Sequence, residues 1–121
     1  MATINKTIEM VDQLKPNAYG PEEKFRWISE VDGMISRLVM QLPEPAAYAY
    51  PDDMDTELLA PAPFEGIYSL YMMAMIDFHN RDYDDYNNTM TLFNEQFDTY
   101  KKAYIRENMP LQHGGYKHIW G

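Results

Sequence analysis

The stretch DYDDYNNTMTLFNEQFDTYKKAYIRE, residues 82–107, decides the fold class. Tyr83, Tyr86, Met90, Phe93, Phe97, Tyr100 and Tyr104 succeed one another at spacings of 3, 4, 3, 4, 3 and 4. A helix of 3.6 residues per turn gathers such positions on one face, whereas a strand would scatter them over two. The positions between them are mostly Asp, Asn, Thr, Glu, Gln and Lys, the composition of a face left in water. Asp82, Asp84 and Asp85 stand at the start, and Lys101, Lys102 and Arg106 at the end, so both termini complement the helix dipole. The stretch predicts a helix about 39 Å long. Its aromatic stripe reads as a core face, with a coiled-coil seam or a ligand-lined groove as alternatives. Tyrosine also suits an interface, because its ring is apolar and its hydroxyl tolerates water.

Upstream, a helix is expected from after Pro63 to about Asn80. Ile67, Leu70, Tyr71, Ala74 and Phe78 trace one face of it, while Met72, Met73, Met75 and Ile76 make it apolar nearly all round. Such helices are buried or oligomerise. A turn at 79–82 would join it to the long helix as an antiparallel hairpin. A first helix is expected at about Ile4–Leu14, capped by Thr3, with Ile4, Ile8, Val11 and Leu14 buried, and stopped before Pro16. A second opens at Pro21 with Glu22 and Glu23 in its first turn, and its ladder is Phe25, Ile28, Val31, Ile35, Leu38 and Leu42, with Trp27, Met34 and Val39 widening the stripe. Gly33 inside it marks a close crossing, a kink or mere irregularity.

Residues 43–63 carry five prolines, and from Glu44 to Glu65 there are six acids and no base, so the stretch forms a long Pro-rich acidic loop. Tyr48 and Tyr50 within it are candidate surface anchors, and a short extended or 3₁₀ piece is open at Thr56–Leu59. The expectation is all-α: a small bundle of about four helices in one domain, 1–108, followed by a flexible tail, 109–121. Residues 43–55 and 109–121 should be the most mobile parts of the chain, for want of apolar anchoring.

The chain has no cysteine, which excludes disulfides and thiolate metal sites and fits an intracellular protein. Its first residues lack the apolar core of a signal peptide, and no apolar run is long enough to cross a bilayer. A net charge of −9 argues against nucleic-acid or anionic-membrane binding. No catalytic motif is present. Asp52–Glu57 lacks the glycine and spaced glutamate of a calcium loop. Asp77, His79, Asp82, Asp84 and Asp85 gather at the proposed turn without the Glu-x-x-His pairs of a di-iron bundle, and the acids among them read as helix caps. No catalytic, cofactor or metal residue is assigned. The candidate interface is Met72, Met73, Met75, Ile76, Tyr48, Tyr50, Tyr116, Ile119 and Trp120.

Four segments carry a resemblance: Met10–Asn17 (MVDQLKPN), Lys24–Gly33 (KFRWISEVDG), Thr56–Phe64 (TELLAPAPF) and Tyr86–Asn94 (YNNTMTLFN). Together they resemble small helical head–tail connector (adaptor) proteins of tailed phages and prophages of Gram-positive bacteria, over roughly residues 4–108. The resemblance implies a non-enzymatic virion component at the head–tail junction, assembled in the host cytoplasm. Its partners would be copies of itself in a ring of the portal's order, expected to be twelvefold, the portal protein, and a head-closure or tail-completion protein. DNA would pass through the channel without sequence-specific binding, and no membrane is involved. The alternative is a small cytoplasmic protein-binding or regulatory module.

Overall fold

The computed structural model describes residues 2–108. The tail expected at 109–121, with Tyr116, Ile119 and Trp120, lies outside them. Four α-helices make the fold: α1 (Ile4–Leu14), α2 (Pro21–Met34), α3 (Gly66–His79) and α4 (Tyr83–Asn108), with no strand among the described residues. Helix α1 begins where its cap demands, with the Thr3 hydroxyl accepting from the Lys6 N–H at 3.1 Å. Helix α2 opens on Pro21, whose missing N–H costs nothing at a helix start.

Helix α3 lies at the centre. It packs against α1, α2 and, most extensively, α4. The ring contacts of the α3–α4 pair run in opposite order along the two helices: Phe78 meets Tyr86, and Tyr71 meets Phe93. Phe64, just before α3, meets Tyr100. Because α3 is flanked by three helices, most of its apolar surface is covered within one chain. Met72 and Ile76 are fully buried, which corrects their assignment to an interface; Met73 and Met75 pack half-buried against the same core.

Helix α1 is tied to its neighbours by charge. The Lys24 ammonium of α2, buried, reaches Asp12 Oδ1 at 2.7 Å, and Asn17 Nδ2 donates to the same oxygen at 3.1 Å. Leu14, expected in the core, is exposed beyond this tie.

Helix α2 does not run on regularly to Leu42. At Ile35–Val39 the backbone widens into a π-helical turn, closed by the Met40 N–H on the Ile35 carbonyl at 2.9 Å. Ser36 assists: its Oγ donates back toward the Asp32 and Gly33 carbonyls, competing with the regular ladder. The extra residue in the turn rotates the positions after it. Val39 therefore faces the core, and Leu38 is 54% exposed where the ladder placed it inside; Leu42 is exposed as well. Gln41 then takes a left-handed conformation (φ 57°), and the Arg37 guanidinium donates to the Leu42 carbonyl at 3.0 Å and to that of Pro43.

Residues 43–60 form a strap across the bundle, mostly exposed over 43–55 and held at a few points. The Ala46 N–H donates to Ser36 Oγ at 2.8 Å, the Tyr50 ring meets Phe25, and the Asn5 N–H donates to the Met54 carbonyl at 2.9 Å. Glu57 pairs with Thr3 in an isolated bridge, and the Leu58 N–H donates to the Ala2 carbonyl, so the open choice at 56–59 resolves as an extended piece.

Candidate functional site

Two buried carboxylates and one aromatic surface hold the molecule's unusual chemistry. Asp32 on α2 is fully buried and has no ion pair among the described residues. Its Oδ2 accepts from the Tyr48 hydroxyl at 2.7 Å and the Leu59 N–H at 3.1 Å, and its Oδ1 accepts from the Tyr68 hydroxyl at 2.5 Å. Tyr68 accepts in turn from the Ala60 N–H at 2.7 Å. Burial raises the Asp32 carboxyl above its ordinary value, while the bonds from Tyr48, Tyr68 and Leu59 oppose that rise. Both phenols are pushed up, first by burial and then by the neighbouring carboxylate. The node joins α2, α3 and both limbs of the strap. It is a structural pin, and Tyr48, a candidate interface residue, points its hydroxyl inward to form it. Tyr50 remains 37% exposed.

The second carboxylate is Asp77 on α3, almost fully buried, with the Lys15 ammonium 2.9 Å from its Oδ1. Carboxylate oxygens of Asp77, Asp82 and Asp85 lie within 4.8 Å of one another. The hydrogen-bonding contact with Asp77 raises the Lys15 ammonium above the ordinary lysine value; burial opposes this, and Asp85 and Asp82 add to it. The ammonium is the countercharge of the cluster. Since the folded value is the higher one, this contribution to stability is complete below the ordinary lysine range and lost only as pH climbs through the raised value. Lys15→Met should cost about 1–3 kcal/mol by stranding a buried carboxylate. Urea titrations at neutral and strongly alkaline pH check it: the gap between wild type and variant should shrink in alkali.

Around this end of the bundle the rings are continuous. The Trp27 indole, buried, stacks on His79 at 5.4 Å between centroids and takes the edge of Tyr19. His79 meets Phe78, and Phe78 meets Tyr83 and Tyr86. The Tyr19 hydroxyl donates to Asn80 Oδ1 at 2.7 Å. Phe78 and Tyr83 are 42% and 52% exposed, although the helix periodicity puts both on a core face. The turn between the helices explains this. Arg81 takes a left-handed conformation (φ 64°) and the Asp82 N–H closes onto the Asp77 carbonyl at 2.8 Å, so the chain reverses within three residues and leaves the rings on either side of the turn at the rim of the helix pair.

The acidic strap uses Asp53 to close its own turn, accepting from the Ala49 N–H at 2.7 Å and the Thr56 hydroxyl at 3.3 Å. An open cleft of about 430 Å³ lies between the end of α2 and α3, lined by Glu30, Met34, Arg37, Leu38 and Tyr71. No motif singles out Asp32 or the ring surface at the turn. Asp32 does leave a signal: it stands four residues after Ile28 and three before Ile35, a carboxylate on the apolar face of its own helix. Compared with protein-family models, with curated proteins and with solved structures, the chain finds no match.

Proposed function

We propose that this chain is a non-enzymatic head–tail connector of a tailed phage or prophage, a subunit that forms a closed ring on the portal and joins the DNA-filled head to the tail. The four resembling segments supply the family. The observation that supports an assembling subunit is the state of α4. On this longest helix only Phe93, Tyr100 and Ala103 are buried, while Tyr86, Met90, Phe97 and Tyr104 stay half-covered and Tyr83 is exposed. A half-covered aromatic stripe is costly on an isolated domain and useful at a contact. In this role the subunit works at the head–tail junction, and its acidic surface keeps passing DNA from adhering.

At −9 per subunit, like-charge repulsion opposes assembly at low salt and relaxes as ions screen it. The test is binding to the cognate portal, with light-scattering mass measured across a salt series and with residues 109–121 present or deleted. The expected result is a ring on the portal, favoured by salt and weakened by the deletion. A full-length chain that stays monomeric at high salt and ignores the portal would replace this reading with the small protein-binding module.

A further inference from the structure

We propose that the ring surface at the α3–α4 turn is the receptor for the C-terminal segment, residues 109–121, of a second copy of this chain. Three observations meet there. The surface is aromatic and open: Phe78 and Tyr83 stand half-exposed, backed by His79 and, beneath it, the buried Trp27. It is bordered by Asp82, Asp84 and Asp85, all exposed, with Arg81 as the cation of the turn. The Asp77 charge is already met by Lys15. The segment that would fill it has the complementary composition. Residues 109–121 hold no acid, one lysine (Lys117) and two histidines (His113, His118), set among Tyr116, Ile119 and Trp120, whereas the whole chain carries −9. Lys117 beside aromatic neighbours matches a cation–π and carboxylate contact on Tyr83 and Asp84.

Geometry makes the contact intermolecular. The receptor lies at the start of α4 and the segment leaves its end, 26 residues and about 39 Å away. Trp120 is twelve residues past Asn108 and spans at most about 40–43 Å fully extended, so it would reach its own receptor only at full stretch. A neighbour's segment is not bound by that span. One end of each copy then meets the other end of the next, a head-to-tail contact that closes into a ring when its rotation divides the circle. The inference deepens the self-assembly in the proposed function, and its experiment contains no portal, so either can fail alone.

The experiment is sedimentation of the full chain at physiological salt up to about 1 mM, where even a weak contact is populated. Wild type should form higher oligomers. A receptor variant, Tyr83→Ser with Asp84→Lys, and a segment variant, Trp120→Ala with Lys117→Glu, should each associate at least about tenfold more weakly. Mixed together they should form a one-to-one dimer and nothing larger, because one intact receptor meets one intact segment. Leu92→Ser, exposed elsewhere on α4, should leave association unchanged. Circular dichroism confirms that each variant folds. The proposal is overturned if wild type stays monomeric, if the receptor variant associates like wild type, if the mixture fails to dimerise, or if Leu92→Ser is as harmful as the receptor variant. A monomer at all concentrations would also be the outcome if the segment lay in its own chain's 220 Å³ groove beside Phe64, Tyr100 and Tyr104.

Discussion

Asp32→Ala should remove about 3–6 kcal/mol of folding stability, because the Tyr48 hydroxyl, the Tyr68 hydroxyl and the Leu59 N–H all lose their acceptor at about 1–3 kcal/mol each, less what relaxation and water recover. Against a total of about 5–15 kcal/mol for a domain, that threatens the fold. The loss should concentrate in the strap, whose two limbs meet the bundle at this carboxylate. Urea unfolding gives the total, and hydrogen exchange at residues 44–60 locates it. Tyr48→Phe removes one bond from the set and should cost about 1 kcal/mol. A loss below that for Asp32→Ala would mean the strap is held by its apolar contacts alone.

The pH dependence has a definite sign. The folded carboxyl of Asp32 sits above its unfolded value, so the unfolded chain gives up its proton first as pH rises. Stability from this group is therefore complete below the unfolded value and falls as pH climbs through the folded one. Acid does not release the strap through Asp32. The stability difference between wild type and Asp32→Ala should widen on acidification, since other carboxylates titrate alike in both.

How much of the fold is legible in the sequence depends on how local each cause is. Thr3, Pro16 and Pro21 act within a turn of their own positions, and they set the bounds of α1 and the start of α2. The 3-4 spacing determines α4 for the same reason. The end of α2 depends on Ser36 turning back on its helix while it also accepts from Ala46, ten residues on, a contact no periodicity contains. That one turn displaces Leu38 and Leu42 from the face their spacing predicts. Met72 and Ile76 differ from expectation for another reason. Composition says α3 needs covering on every side but not whether one chain supplies the cover, and α1, α2 and α4 supply it at Met72 and Ile76. Among candidate interface residues in the described part, Met73, Met75, Tyr48 and Tyr50 keep some open surface, while Phe78 and Tyr83, whose spacing points inward, are the exposed rings at the turn.

Phe93→Ala should cost about 3–5 kcal/mol, and Phe78→Ala about 1 kcal/mol, although the sequence places the two rings on facing core stripes. Phe93 is 3% exposed, set between Tyr71 of α3 and Phe97 of its own helix, where a truncation leaves a void that close-packed neighbours fill only in part. Phe78 keeps 42% of its surface in water and touches Tyr83 and Tyr86 at the rim, so alanine there opens no cavity. Urea midpoints at unchanged slope measure both. Equal losses would mean that α4 packs in another register, and a wild-type midpoint for Phe93→Ala would remove that ring from the core. The proposed receptor adds a second axis to the comparison. Phe78→Ala, nearly silent in stability, should weaken self-association, while Phe93→Ala should lower stability and leave association of the folded fraction intact.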